Sequence, residues 1–228
     1  MIFQLIDVLQ ENPAAFFAYM VAIGIAMVTG IAFHEFSHAW AANELGDDTA
    51  ARQGRLTLNP LAHLDPVGTI LLFVVGVGWG KPTPVNPYRL SAGVKRGNML
   101  VALAGPLSNF AFALLASIPL IFGWVEPLAF ENIERASGSQ ILGTFLFFIG
   151  FLNVILGVFN LIPIHPLDGF KVLLGILPDE LSQPLASLSR WGPALLIGLI
   201  VLGFVAPEYS PLRWIFGGAA DLFLEIIT

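Results

Sequence analysis

The sequence predicts an all-α polytopic membrane protein. Of its 228 residues, 56% are hydrophobic and only 11% are charged, whereas a soluble domain carries about 25% charged residues. Several long stretches contain no charged residue, and a membrane-spanning helix needs about 20 mostly apolar residues. We therefore expect one integral-membrane domain over residues 1–228 with about five to six transmembrane helices. The net charge of −6 gives no sign of nucleic-acid binding.

The first spans follow from charge-free runs and their boundaries. Residues 1–11 are short and mildly amphipathic, which fits an interfacial turn of helix. The first long helix is predicted from Pro13 to about Asn43, and Gly46 is a typical helix stop. Residues 66–80 are also charge-free, but this glycine-rich run of 15 residues is too short to span. We expect a re-entrant hairpin or loop there, packed against protein or water.

The second half of the chain continues the pattern. Two further charge-free spans are predicted over 97–125 and 136–164, joined by a short acidic loop. The C-terminal helices occupy about 191–228. They comprise a fourth span over 191–206 and a weak fifth, which two acidic residues interrupt.

Basic residues predict the orientation of these spans. Six lysines and arginines lie between the first and second spans, whereas the next loop holds only Arg135, beside three glutamates. Because cytoplasmic loops carry the excess of Lys and Arg, we expect the first of these regions in the cytoplasm and the N-terminus outside. The C-terminal end of the first helix and the segment around Asp168 then lie at the same membrane face.

His34 and His38 lie near the end of the first predicted helix, in the run His-Glu-Phe-Ser-His. Residues four apart share one face of a helix, so both imidazoles can bind one metal ion. Glu35 lies beside them and can take a proton from a water on that metal. The chain contains no cysteine, so His, Asp or Glu must supply every side-chain ligand.

Asp168 is the best candidate for a third ligand. It directly follows a charge-free span whose end is broken by Pro163 and Pro166. A hydrolytic zinc site has three protein ligands and one open position, and coordination removes the cost of an unpaired carboxylate near hydrocarbon. The alternative role for Asp168 is a helix N-cap for the segment that starts at Phe170.

The pairing of HEFSH on one membrane helix with NLIPIHPLDG at the end of a later one resembles the site-2 protease family of intramembrane zinc metalloproteases. The resemblance covers about residues 14–174, the expected catalytic core. The segments RLTLNPLAHLDPVGT and GWGKPTPVNP resemble small bacterial and archaeal members, without a PDZ or nucleotide-sensing domain. The resemblance to the family implies one Zn²⁺ ion bound by His34, His38 and Asp168, with Glu35 as the catalytic residue.

Three asparagines are weaker candidates for binding the substrate or its oxyanion. Asn160 matches the asparagine of the family motif, and Asn153 lies on nearly the same helical face. Asn109 belongs to a G-P-x-x-N feature inside the second span. The alternatives are an interhelical hydrogen bond for Asn153 and Asn160, and a role in helix packing for Asn109.

The resemblance implies an intramembrane zinc endopeptidase, which we expect in a prokaryotic plasma membrane. The basic residues predict that its active site lies toward the cytoplasm. Its implied substrate is a single-span membrane protein, cut within or near its transmembrane segment in the lipid bilayer. A strand edge within residues 66–80 is expected to pair with the unwound substrate. The alternative function is a metal-binding membrane transporter or sensor without hydrolytic activity, although the second and third spans offer no ionisable residues for a transport path.

Overall fold

The computed structural model describes residues 12–75, 78–128 and 136–228, and within them the chain folds into nine α-helices. In chain order these are α1 (Pro13–Glu44), α2 (Thr49–Arg52), α3 (Pro66–Val75), α4 (Val94–Ile121), α5 (Gly138–Asn160), α6 (Asp168–Ile176), α7 (Asp179–Ser187), α8 (Gly192–Val205) and α9 (Pro211–Ile227). The predicted all-α fold is confirmed. The N-terminal turn predicted over residues 1–11 and most of the acidic loop after α4 lie outside the described residues.

Four helical stretches in the described part of the chain are long and apolar enough to cross a membrane: Phe16–Glu44, Val94–Ile121, Gly138–Asn160 and Asp179–Val205. The last of these joins α7 and α8, so it begins earlier than the fourth predicted span. The weak fifth span corresponds to α9, which has 17 residues. These lengths establish an integral membrane protein whose chain crosses the bilayer several times.

The end of α1 is fixed by a glycine in the left-handed conformation. Gly46 has a φ of +95°, which a residue with a side chain rarely adopts. Its amide donates to the carbonyl of Asn43 at 3.0 Å, and the amide of Asp47 donates to the carbonyl of Ala42 at 2.9 Å. This pair of bonds is a Schellman motif, which satisfies two of the last carbonyls of the helix. The predicted stop at Gly46 is therefore confirmed.

The two ends of the segment predicted to be re-entrant lie side by side, because Leu64 and Gly80 form an isolated antiparallel bridge. The first part is α3, whose ten residues cover about 15 Å at a rise of 1.5 Å per residue. Residues 78–80, which follow α3, pack directly on this helix, since a Cβ at Gly68 would lie 2.2 Å from the carbonyl oxygen of Trp79. The prediction of a strand edge is wrong for residues 66–75, which form α3. Because the backbone amides and carbonyls of a helix bond to one another, these residues offer no edge to a substrate strand.

The transmembrane core is built from α1, α4 and α5, which pack against one another, and α6 lies along the first part of α4. Small residues are buried in both α1 and α4, among them Ala26 and Ala39 of α1 and Ala102 and Ala113 of α4. Close packing of this kind is how membrane helices associate without a hydrophobic driving force between them. The arrangement places the start of α6 beside the C-terminal third of α1.

Candidate metal centre and active site

Three polar side chains meet where α1 and the start of α6 come together. The Nε2 atoms of His34 and His38 lie 3.0 Å apart, and each lies 3.0 Å from Oδ2 of Asp168. All three residues are buried. The helix periodicity of α1 supplies the two imidazoles from one face, and the break after α5 brings the carboxylate to them from 130 residues away.

The hydrogen bonds on the far side of each imidazole determine which nitrogen carries the proton. Nδ1 of His38 donates to the carbonyl oxygen of Val101 at 2.7 Å, and Nδ1 of His34 donates to Oδ1 of Asn109 at 2.7 Å. A neutral imidazole protonated at Nδ1 has a lone pair at Nε2. Two such lone pairs and a carboxylate oxygen therefore face one another in a buried site, an arrangement that a cation between them stabilises.

The donor set fits zinc. Two imidazole nitrogens and a carboxylate oxygen are typical ligands of a hydrolytic zinc site, and bonds of 2.0–2.1 Å in tetrahedral geometry separate the ligand atoms by about 3.3 Å. The observed separations of 3.0 Å are close to that value. His34, His38 and Asp168 also form a group of possible metal ligands with all ligand atoms within 4.8 Å of one another.

Asn109 and Asn153 join three helices behind this cluster. The amide of Asn109 donates to Oδ1 of Asn153 at 2.8 Å and to the carbonyl of Gly30 at 3.1 Å. The amide of Asn153 donates to the carbonyl of Ile149 at 2.8 Å. Both side chains are fully buried. A role in binding the substrate or its oxyanion does not fit these two residues, because their polar groups face neighbouring helices; the interhelical alternative describes them.

The backbone of α4 covers one side of the metal cluster at Gly105. A Cβ at this position would lie 2.5 Å from Nε2 of His38 and 2.6 Å from Cε1 of His34. Real Cβ atoms do not approach so closely, so only glycine allows α4 to pack against both imidazole rings. The G-P-x-x-N feature of the sequence thus supplies the close approach at Gly105 and the His34 partner at Asn109.

Glu35 faces a cavity of about 230 Å³ that opens onto the cluster. Its Oε2 accepts a hydrogen bond from the backbone N–H of Thr83 at 2.8 Å, and its backbone carbonyl accepts one from the Thr83 hydroxyl at 3.0 Å. The polar lining of this cavity is His34, Glu35, His38, Thr83, Asn160, Asp168 and Lys171. Sequence reasoning missed Thr83, whose only signal is its place in a proline-rich segment.

Asn160 and Lys171 also reach this cavity. The Asn160 amide donates one hydrogen bond to the carbonyl of Leu156 at 3.0 Å, and no acceptor among the described residues bonds its second amide hydrogen. Nζ of Lys171 lies 3.5 Å from Oδ1 of Asp168, the oxygen that does not face the imidazoles. Lys171 was not predicted as a site residue either; its position three residues after Asp168, on the same helical face, is the signal that identifies it.

The similarity of this chain to known proteins agrees with the cluster. A family model described as peptidase family M50 matches residues 89–199. "Putative zinc metalloprotease YwhC" of Bacillus subtilis is 36% identical over 95% of this chain and 94% of its own length. Rip2 of Mycobacterium tuberculosis, which carries the same designation, is 31% identical over 93% of this chain and 76% of its own. A third relative so designated, MJ0611 of Methanocaldococcus jannaschii, is 28% identical over 79% of this chain and 76% of its own. No solved structure matches the chain.

Proposed function

Because the chain belongs to peptidase family M50, the site-2 protease family of membrane zinc metalloproteases, we propose that it cuts membrane-protein substrates within or near a transmembrane segment. The observation that carries this proposal is the position of the buried cluster. His34, His38 and Asp168 converge inside a membrane-spanning bundle, and Glu35 faces the same cavity.

The depth of the site supports a substrate that lies in the bilayer. His34 lies ten residues before the end of α1 at Glu44, which is about 15 Å along the helix. The whole of α1 is about 48 Å long by the same rise, whereas the hydrocarbon core is about 30 Å thick. A peptide bond that reaches the cluster therefore lies about 15 Å along α1 from its C-terminal end, toward the middle of the bilayer. In a single-span membrane protein, the residues at that level belong to its transmembrane segment.

The residues of the cavity divide the chemistry between them. Zinc, when bound, lowers the pKa of water toward about 7 and polarises a carbonyl group. Glu35 accepts the proton of the attacking water and later donates it to the nitrogen of the leaving amine. The second amide hydrogen of Asn160 donates to the carbonyl oxygen of the scissile bond as negative charge develops there. Asp168 and the two histidines hold the metal and take no part in proton transfer.

The basic residues and the relatives support a location for the enzyme. The region between α1 and α4 carries four basic residues, and two more, Lys95 and Arg96, lie in the first turn of α4. By the charge rule this is the cytoplasmic side. The three relatives come from bacteria and an archaeon. We therefore assign the protein to a prokaryotic plasma membrane, with its active site toward the cytoplasmic face.

Replacing Glu35 with glutamine tests the proposed function. The Glu35→Gln variant keeps the shape of the side chain and all three metal ligands, so its zinc content should equal that of the wild type. Its cleavage rate should fall about 10²- to 10⁴-fold, the range that general acid–base catalysis contributes. The measurement is mass-spectrometric detection of products from a single-span test substrate reconstituted with the enzyme in liposomes, together with zinc analysis.

Glu44→Gln is the matched control, because it changes an exposed carboxylate at the end of the same helix. This variant should cleave at the wild-type rate. Undiminished cleavage by Glu35→Gln would contradict the assigned role of Glu35. Products cut only outside the transmembrane segment and its borders would contradict the proposed substrate class.

A further inference from the structure

The segment Pro82-Thr83-Pro84 contacts Glu35 through two hydrogen bonds from a single residue. The Thr83 amide donates to the Glu35 carboxylate at 2.8 Å, and the Thr83 hydroxyl donates to the Glu35 backbone carbonyl at 3.0 Å. We propose that Thr83 is a positioning residue that sets the catalytic carboxylate, an inference that rests on the proposed function of Glu35.

The two flanking prolines make Thr83 the single amide donor of this stretch and stiffen it. Proline has no backbone N–H and its ring fixes φ, so neither Pro82 nor Pro84 can donate to Glu35. A residue that precedes proline is also restricted to extended conformations, which applies to Lys81 and to Thr83 itself. The amide of Thr83 therefore loses little conformational freedom when it binds the carboxylate.

The near end of the segment is fixed by buried residues outside the active site. The Lys81 amide donates to the carbonyl of His63 at 2.7 Å, and the Arg55 guanidinium donates to the carbonyl of Lys81. His63 is fully buried and Arg55 is 5% exposed. The ring of His63 in turn donates to the carbonyl of Thr57 at 2.7 Å. These contacts hold the segment from the side that precedes Thr83.

The far end is fixed by Asp47, just beyond α1. Its Oδ2 accepts from the amide of Asn86 at 2.6 Å, and its Oδ1 accepts from the amide of Thr49 at 3.1 Å. Burial opposes ionisation of Asp47, but the hydrogen bonds from Thr49 and Asn86 and the charge of Arg89 outweigh it and hold the pKa below its usual value. Thr83 is thus held from both sides by residues that do not line the cavity.

This anchoring bears on catalysis because a glutamate side chain is otherwise free to adopt several rotamers. With Oε2 bound to the Thr83 amide, no described residue donates a hydrogen bond to Oε1, which leaves that oxygen for the reacting water. Small errors in the placement of a catalytic group lower the rate strongly. The expected consequence of losing Thr83 is a lower kcat with an unchanged KM and unchanged zinc binding.

Three versions of position 83 separate the two hydrogen bonds in the full chain. Thr83→Val removes the hydroxyl and keeps the amide, so kcat should fall about 2- to 10-fold. Thr83→Ser restores the hydroxyl and should recover the rate lost in Thr83→Val. A main-chain ester, made by inserting the α-hydroxy analogue of valine at position 83, differs from Thr83→Val only at the amide. It should lower kcat a further 10- to 100-fold, about the value of a hydrogen bond to a charged group.

The decisive measurement repeats these changes in the Glu35→Gln background. If Thr83 acts through Glu35, the changes at position 83 should leave the residual rate of Glu35→Gln nearly unchanged, which is the non-additivity expected of residues that act as a unit. Zinc content, zinc affinity and thermal unfolding should match the wild type in every version. Thr228→Val is the control, because its hydroxyl donates to the carbonyl of Leu224 at the end of α9, away from the cavity.

Each possible result has a defined meaning. Equal fold-losses in the wild-type and Glu35→Gln backgrounds would overturn the inference, and so would an ester with the kcat of Thr83→Val. If the ester does not fold, equal kcat values for Thr83→Val and Thr83→Ser would overturn it. In all these cases a Glu35→Gln variant whose rate falls about 10²-fold or more would leave the proposed function intact. Undiminished cleavage by that variant would instead contradict the role that the proposed function gives to Glu35.

Discussion

The metal cluster depends on residues that do not face the metal. Nδ1 of His34 is held by Asn109, and Asn109 is itself held by Asn153 and the carbonyl of Gly30. Each bond fixes the next donor or acceptor, so the proton on His34 stays at Nδ1 and its lone pair stays at Nε2. A ring flip or tautomer change at His34 would cost this whole buried network.

Asn109→Leu should therefore weaken zinc binding without touching a ligand. Loss of such an outer hydrogen-bond partner typically costs about 10- to 100-fold in metal affinity or activity. The measurement is zinc retention against a graded series of chelators for the purified protein in detergent. Ser117→Ala is the control, since the Ser117 hydroxyl donates to the carbonyl of Ala113 along the same helix. An unchanged zinc affinity in Asn109→Leu would show that the His34 tautomer needs no such support.

At the residue scale, sequence reasoning reaches ligand geometry more easily than hydrogen-bond partners. His34 and His38 are four apart on one helix, so their proximity follows from helix periodicity alone. The asparagines illustrate the limit. Asn153 and Asn160 share a helical face, yet one faces α4 and the other the cavity, because the packing of neighbouring helices decides what each amide meets. The contact of Thr83 with Glu35 is harder still to predict from the sequence. It is made by a backbone amide, which every residue except proline possesses.

At the scale of elements, α4 can pack against the metal cluster because it has no side chain at Gly105. Its backbone lies against both imidazoles at Gly105, and the same helix provides the acceptors for both rings, at Val101 and Asn109. These three positions are four residues apart, so they lie along one stripe of the helix. The metal site is therefore a property of the α1–α4 pair, completed by the start of α6.

Gly105→Ala should disrupt this pairing. The added methyl group would lie 2.5 Å from Nε2 of His38, so α4 or the ring must move, at a cost typical of overpacking, about 1–3 kcal/mol. We expect zinc affinity to fall about 10- to 100-fold and cleavage to fall with it. Zinc analysis and the liposome assay measure both effects.

Gly198→Ala is the control for that substitution. Gly198 lies in α8, where an added methyl group would have no heavy atom within 4 Å, so the change should leave zinc binding intact and favour the helix slightly. Normal zinc affinity in Gly105→Ala would mean that α4 can withdraw from the cluster at little cost.

Residues 66–80 show how far the sequence specifies an element. The absence of charge and the short length predict re-entry, and the Leu64–Gly80 bridge confirms that the two ends meet. The conformation inside the segment was not predictable in the same way. Short apolar runs carry no periodicity that separates helix from strand, and the close contact of Gly68 with Trp79 depends on tertiary packing.

On the scale of the whole molecule, the fold brings the proposed reactive groups to one cavity. The C-terminal third of α1, the end of α5 and the start of α6 meet at the cavity, and the anchored segment around Thr83 is hydrogen-bonded to Glu35. A bundle of this kind was predictable from composition and charge-free runs, because a membrane admits few alternatives to helices. The basic residues predicted only a common membrane face for the end of α1 and the segment around Asp168. The contact between them was predicted from the need for a third metal ligand.

The predicted topology can be tested with single introduced cysteines, because the chain has no cysteine of its own. Single cysteines at the exposed positions Gln53, between α1 and α3, and Ser139, at the start of α5, should lie on opposite faces. In intact cells a membrane-impermeant maleimide should label Ser139→Cys, and it should label Gln53→Cys only after the membrane is opened. The reason is the excess of basic residues around Gln53, which the charge rule assigns to the cytoplasm.

A third cysteine tests whether the active-site side is the same side. Glu180→Cys, at the exposed start of α7, follows Asp168 without an intervening predicted span, so it should behave as Gln53→Cys does. Each variant should cleave the test substrate, which shows that the labelled protein is folded. Labelling of Gln53→Cys and Glu180→Cys in intact cells, with Ser139→Cys protected, would invert the orientation. If only one of Gln53→Cys and Glu180→Cys were labelled in intact cells, the end of α1 and the start of α7 would lie on opposite sides of the bilayer. That result would contradict a metal cluster shared by α1 and α6.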